Sequence, residues 1–180
     1  HIKDEHNGRT IPAILFQHIP VFEEYELLRE AKPHEKLFEA VEGHRIFSNK
    51  MYMLKDGVDG YLGEPLCTPC VNGGQFSSWK KTGDVIAAFF GHDHTNSFYG
   101  KTDEGIILGY NASFGWKAYG MGGETRHVKM IVVDEDDPTN PEIYSKTYTE
   151  LTGENGGIGP IDFISPWTYN VIINNTIGRL

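Results

Sequence analysis

The stretch Val85–Asn96 reads VIAAFFGHDHTN, six apolar residues and a glycine followed by two histidines with one residue between them. Six apolar residues are too few for a core helix but are typical of a strand buried on both faces in the middle of a sheet. Gly91 is expected to let the chain turn or approach a neighbour closely. If the backbone stays extended, His92 and His94 point to the same side at the carboxyl end of this strand. Open α/β sheets bind their ligands at that end.

A second apolar run, Ile11–Phe16, also leads into a histidine, His18. All three histidines are therefore expected at the carboxyl edge of one sheet. Imidazole is the commonest metal ligand near neutral pH. Two metal ions about 3.5–4 Å apart could be held by one histidine each from the H-x-H pair, with His18 joining one of them. The alternative is that the three are polar residues at strand ends, held by hydrogen bonds.

The size and charge of the chain restrict its class. Its 180 residues fit one domain with a core of its own. The net charge of −9 argues against binding a nucleic-acid backbone, and an anionic substrate would need a local positive centre such as metal ions. No apolar run approaches the ~20 residues that span a bilayer. The sequence carries neither an initial methionine nor a secretory signal, which leaves a secreted, cell-surface or cytoplasmic location open.

Two residue patterns have other chemical interpretations. Cys67 and Cys70 form a lone C-x-x-C, which could be a redox pair, a local disulfide or half of a zinc site, but no partner pair follows, and a structural or incidental role is favoured. An H-x-H is also found in cupins, which are metal-binding all-β barrels. A cupin needs a glutamate soon after the second histidine, whereas Thr95–Lys101 contains none and Glu104 is too far along.

The remaining patterns predict a mixture of helices and strands. Helices are predicted from Pro20 to about Ala31, from Pro33 to Gly43 and over Gly74–Thr82. Residues 44–73 are predicted as a long loop with a short element near Met51–Leu54, and residues 111–123 as a loop rich in glycine and aromatic residues. Further strands are predicted over Gly105–Tyr110, Arg126–Val133 and Glu142–Thr149, whereas the pattern of Ile161–Ile173 assigns no element type.

Five motifs in order resemble those of calcineurin-like metallophosphoesterases, and most closely the single-domain purple-acid-phosphatase-like branch. They are Phe16–Pro20 (FQHIP), Val71–Phe76 (VNGGQF), Gly83–Asn96 (GDVIAAFFGHDHTN), Gly115–Gly120 (GWKAYG) and Arg126. The resemblance covers roughly residues 10–133. It implies that the 180 residues are a single partial domain, the C-terminal portion of a metallophosphoesterase domain, with residues 134–180 as a C-terminal extension.

The resemblance implies an α/β fold: the C-terminal half of a four-layer α/β/β/α sandwich with a mixed sheet. It also implies a centre of two divalent or trivalent metal ions (Mn, Fe or Zn), with His18 and His92 on one and His94 on the other. Such a centre hydrolyses phosphate esters by in-line attack on phosphorus. Asn96 is a candidate substrate neighbour. A small-molecule phosphate ester is the expected substrate.

Several groups that complete such a site are absent from the sequence. The family pattern needs an early Asp-x-His, a bridging Gly-Asp and an Asn-His pair, whose histidine is the usual proton donor. Asp4-Glu5-His6 lacks a preceding strand, and Gly83-Asp84 opens its strand at the wrong end. We therefore expect the chain to be inactive alone, with the proton donor in an N-terminal half and with that half, or a second copy, as partner. The alternative is a truncated or degenerate non-catalytic module that keeps the fold for binding or assembly.

Overall fold

The computed structural model describes residues 5–35, 40–120 and 122–154, so the unassigned segment Ile161–Ile173 lies outside the described residues. These ranges contain ten strands, two α-helices and two 3-10 helices. The strands are β1 Ala13–Phe16, β2 Leu28–Glu30, β3 Val41–Glu42, β4 Met51–Leu54, β5 Asp59–Tyr61, β6 Val85–Phe90, β7 Ser97–Lys101, β8 Ile107–Tyr110, β9 His127–Val132 and β10 Glu142–Thr147. The α-helices are α1 Gln75–Thr82 and α2 Tyr148–Thr152, and the 3-10 helices are Phe22–Leu27 and Arg45–Phe47.

The main sheet has five strands in the order β1-β6-β8-β7-β5. Strand β6 lies between β1 and β8 and is parallel to both, whereas β7 is antiparallel to β8 and to β5. The predicted α/β class with a mixed sheet is therefore confirmed. Smaller sheets are formed by β2, β4 and β3 and by the hairpin of β9 and β10.

Both faces of β6 are covered, as the sequence predicts. Ala88 and Phe90 belong to a large apolar cluster with α1 and the Phe22–Leu27 segment, while Ala87 and Phe89 pack on the opposite side with the β9–β10 hairpin. Alternate residues of a strand point to opposite faces, so a strand covered on both sides needs an unbroken apolar run.

Two predicted helices are wrong. The first is a 3-10 helix over Phe22–Leu27 that gives way to β2, because Leu28–Glu30 pairs antiparallel with β4. In the second, residues 36–39 lie outside the described part of the chain, and Val41–Glu42 is strand β3, which also pairs with β4. Pairing with β4 from both sides overrides the local helical pattern of these segments.

The predicted long loop over residues 44–73 is wrong in part. The expected short element is confirmed as β4, but Asp59–Tyr61 forms strand β5 on the edge of the main sheet. Strand β7 was not predicted, although its second residue, Phe98, is fully buried, because the segment is short and contains Gly100. The strand predicted over Glu142–Thr149 is observed as β10 and ends at Thr147, whose side chain caps helix α2. In the described part of the chain, no helix is both long and apolar enough to cross a membrane.

Candidate metal centre

His18 and His92 lie side by side where two parallel strands end. The backbone ladder continues past β1 and β6, because the Gly91 N–H donates to the carbonyl oxygen of His18 over 3.3 Å. The two imidazole rings are 5.0 Å apart between centroids, with a 48° angle between their planes. This neighbourhood follows from the parallel pairing, since strands in register bring their carboxyl ends to one edge.

Asp93 orients His92 from behind. Its Oδ1 lies 2.9 Å from Nδ1 of His92, and its Oδ2 accepts from the Cys67 N–H at 2.9 Å and from the Tyr110 hydroxyl at 2.7 Å. Asp93 is 3% exposed, so the carboxylate is held by these contacts rather than by water. A carboxylate on one ring nitrogen leaves the other nitrogen available to bind a metal ion, which is the usual arrangement around histidine ligands.

His94 lies against a different residue, Tyr119. Their rings stack with centroids 4.1 Å apart, and Nδ1 of His94 is 3.1 Å from the carbonyl oxygen of Tyr119. The Tyr119 hydroxyl donates to Oε2 of Glu64 over 2.9 Å, and Oε1 of Glu64 accepts from both the N–H and the hydroxyl of Thr95. Burial raises the pKa of Glu64, and its hydrogen bonds oppose that increase. The buried carboxyl group of Glu64 thus holds both Thr95, the next residue in the chain, and Tyr119, which stacks on His94.

Asn96 anchors the long segment that follows β5. It is fully buried, and its Oδ1 accepts from the backbone N–H groups of Gly63 and Glu64, each over 2.9 Å. These contacts fasten the 62–74 segment onto the turn that carries the histidines. Its role as a substrate neighbour stays a prediction, as do the ligand roles of His18, His92 and His94.

The close backbone approach near the histidines occurs at Gly63 rather than at Gly91. A Cβ added at Gly63 would lie 2.3 Å from the Thr95 carbonyl oxygen, whereas one added at Gly91 would meet no described atom within 4 Å. Gly91 also lies outside the left-handed region. The expected role of Gly91 in a tight approach is therefore wrong. The contact at Gly63 arises between segments more than 30 residues apart, so sequence reasoning missed it.

Arg126 shapes the glycine-rich loop that carries Tyr119. Its guanidinium donates to the carbonyl oxygens of Gly115, at 2.5 Å, and Ala118, at 3.1 Å, and lies 4.5 Å from the ring of Trp116. Arg126 is 4% exposed, so the charge is satisfied inside the loop. We call these contacts of Arg126 with the loop the arginine clamp. Its signal in the sequence is a single arginine that follows a loop rich in glycine and aromatic residues.

A buried acid lies behind the centre. Glu24 is fully buried, and neither of its carboxyl oxygens has a hydrogen-bond partner among the described residues. Burial raises its pKa well above the usual value, and the charge of Asp93 adds to the increase. Glu24 lies in the predicted Pro20–Ala31 helix, where a carboxylate in the first turn is favoured by the helix dipole. The structure has a 3-10 helix over Phe22–Leu27 instead, and Glu24 is buried in it.

The donor set suits metal ions. No hydrogen bond to a ring nitrogen of His18 is found within the described residues, and the bond to Asp93 leaves one nitrogen of His92 available. Cys67, His92 and Asp93 also form a compact group whose ligand atoms all lie within 4.8 Å of one another. The residues present thus fit a metal ion on chemical grounds. Three imidazoles alone are too few for two ions, which take about four or more ligands each.

Comparison with curated proteins finds three similar sequences from Arabidopsis thaliana. The chain is 38% identical to "Probable inactive purple acid phosphatase 29" over 80 residues, which are 44% of the chain and 20% of that protein. It is 29% identical to "Probable inactive purple acid phosphatase 14" over 123 residues (66% and 30%) and 36% identical to "Probable inactive purple acid phosphatase 28" over 72 residues (40% and 18%). The resemblance to purple acid phosphatases is confirmed. No family model matches the chain, and no solved structure matches it.

The chain covers only part of these purple-acid-phosphatase-like proteins. The aligned residues account for between 18% and 30% of the length of the three relatives. All three are named as probable inactive members. The likeness therefore supports a phosphoesterase fold family.

Proposed function

We propose that the whole protein hydrolyses phosphate esters at a two-metal centre, to which this chain contributes His18, His92 and His94. The observation that carries the proposal is the pairing of His18 with His92 at the carboxyl ends of adjacent parallel strands, with ring centroids 5.0 Å apart. Neutral imidazoles on separate strands suit Mn, Fe or Zn. In this proposal His18 and His92 hold one ion and His94 holds the other.

The protein residues around the histidines have the properties that such a centre needs. Asp93 holds His92 in one ring orientation, and the Tyr119 backbone does the same for His94. The metal ions, when bound, would neutralise charge on the phosphoryl oxygens. Because the chain carries a net charge of −9, it would repel an anionic ester electrostatically without such a positive centre.

The missing ligands and the proton donor are proposed to come from another segment of the whole protein. Among the described strands, β1 is an edge of the main sheet, and Phe16 at its end is 70% exposed. An unpaired edge with an exposed aromatic residue favours pairing with further chain, either that segment or a second copy. The substrate is proposed to be a small-molecule phosphate ester.

The test compares the whole protein with histidine variants, using p-nitrophenyl phosphate and bis-p-nitrophenyl phosphate as substrates with Mn²⁺. We expect His92→Ala and His94→Ala to lower turnover by orders of magnitude. The exposed His34, which is outside the site, provides the control variant His34→Ala, and circular dichroism reports folding. A change below about threefold in folded His92→Ala would contradict a ligand role. The 180-residue chain alone is expected to show near-zero turnover.

A second candidate function is favoured by the names of the relatives, all of which describe probable inactive proteins. In that case the fold serves binding or assembly without catalysis. The same assay separates the two. A whole protein that binds Mn²⁺ through His92 but turns over neither substrate supports the non-catalytic module, whereas turnover that depends on His92 supports the enzyme.

A further inference from the structure

We propose that Cys67, His92 and Asp93 form a binding site for a thiophilic divalent ion such as Zn²⁺ or Cd²⁺. This donor set contains a thiol and a carboxylate, and it shares only His92 with the all-histidine set of the proposed two-metal centre. The site does not require catalytic activity, nor does it require His18 or His94.

The spacing of the three residues is close to that of a metal site. Their ligand atoms lie within 4.8 Å of one another. Zinc bonds of roughly 2.0–2.3 Å place tetrahedral ligand atoms about 3.3–3.8 Å apart, so no separation in this group needs to shorten by more than about 1.5 Å. Cys67 is partly buried in the irregular segment between β5 and α1, and rotation about its Cα–Cβ bond changes the position of its sulfur without moving the backbone.

The backbone already holds Cys67 beside the other two ligands. Its N–H donates to Oδ2 of Asp93 over 2.9 Å, and the preceding residue, Leu66, accepts a hydrogen bond from the Tyr25 hydroxyl over 3.3 Å. The pairing of Gly63 and Glu64 with Asn96 fastens the same segment a few residues earlier. The thiol is thus positioned by contacts that do not involve its sulfur atom.

The local charge also favours a cation. The carboxylate of Asp93 is buried, and within the described residues it forms no salt bridge with a lysine or arginine. A divalent ion would neutralise the buried Asp93 carboxylate, while the Cys67 N–H and the Tyr110 hydroxyl would keep Asp93 oriented from outside the coordination shell.

The chemistry of the donors predicts which ion binds. Thiolate and imidazole favour Zn²⁺ and similar ions over Mg²⁺ or Ca²⁺, which prefer oxygen ligands. Three protein ligands leave the fourth position of a tetrahedral ion open to water or another small ligand. The second cysteine, Cys70, is exposed and is not part of the group, so it provides a matched control.

The test titrates the reduced 180-residue chain with Co²⁺, which gives a near-ultraviolet charge-transfer band when bound by a thiolate. We expect one Co²⁺ per chain, displaced by Zn²⁺, with the band lost in Cys67→Ser and retained in Cys70→Ser. His18→Ala is expected to retain the band although it removes a ligand of the proposed two-metal centre, so failure of one proposal does not imply failure of the other. A wild-type chain without the band, or a band lost in Cys70→Ser, would overturn the site.

A second measurement avoids any folding defect of Cys67→Ser. In the Cys70→Ser variant, Cys67 is the single remaining thiol, and its alkylation by iodoacetamide can be followed by mass spectrometry. We expect Zn²⁺ to slow alkylation at least tenfold and EDTA to restore it. Equal alkylation rates with and without Zn²⁺ would refute the proposed coordination.

Discussion

Replacing Asp93 with asparagine is predicted to move the ring proton of His92 from Nδ1 to Nε2. Oδ2 of Asp93 accepts two hydrogen bonds, from the Cys67 N–H and the Tyr110 hydroxyl, while Oδ1 faces Nδ1 of His92. An asparagine has a single carbonyl oxygen, which the two donors will hold in the Oδ2 position. Its NH₂ group then faces His92, and the contact survives only if Nδ1 accepts and the proton moves to Nε2.

The cost of this exchange falls on metal binding rather than on folding. With Nε2 protonated and Nδ1 occupied, His92 has no free lone pair for an ion. Loss of the carboxylate behind a ligand histidine typically costs 10–100-fold in metal affinity, or about 1.4–2.7 kcal/mol. The free energy of unfolding should change by only about 1 kcal/mol, because the hydrogen bonds from the Cys67 N–H and the Tyr110 hydroxyl remain and the contact with His92 persists with donor and acceptor exchanged.

Two measurements on the whole protein decide the outcome. Calorimetric titration with Mn²⁺ gives the affinity, and nitrogen-15 shifts of the His92 ring identify the protonated nitrogen. Asp56→Asn, an exposed aspartate in the turn between β4 and β5, is the control and should match the wild type. If folded Asp93→Asn keeps its Mn²⁺ affinity within about twofold, or keeps the proton on Nδ1, the reasoning about Asp93 is refuted.

Three further predictions concern the groups around the centre. The folded state retains a proton on Glu24 that the unfolded state loses above the usual pKa of 4.5, so the free energy of unfolding should fall as pH rises. Urea unfolding at pH 5 and pH 8 should show this fall in the wild type but not in Glu24→Gln. The same fall in both proteins would contradict the prediction. Gly63→Ala should lower the free energy of unfolding by about 1–3 kcal/mol, whereas Gly73→Ala, where a Cβ meets no described atom, should be nearly neutral, and similar values for both would disprove the close approach. Arg126→Lys should cost at least about 2 kcal/mol and shift Trp116 fluorescence to the red, and an unchanged spectrum would argue against the clamp.

The element types that sequence reasoning predicted correctly are those with a strong local signal. Strand β6 is an unbroken apolar run, and helix α1 ends at Gly83, which is left-handed as a helix-ending glycine should be. The segments that failed, Leu28–Glu30 and Val41–Glu42, are strands only because each pairs with β4. Their own residues are compatible with either element, so the pairing decides.

The sequence alone determined which chemistry is available, because apolar runs followed by histidines specify buried strands with imidazoles at their ends, and the ordered motifs indicated the family resemblance. The tertiary structure decided how those groups meet: His18 with His92, His94 with Tyr119, and Cys67 with Asp93. These contacts join residues whose sequence separation, for His18 and His92, exceeds 70 positions. The pairing of parallel strands and the fastening of the 62–74 segment set such distances, and no local pattern of residues encodes either.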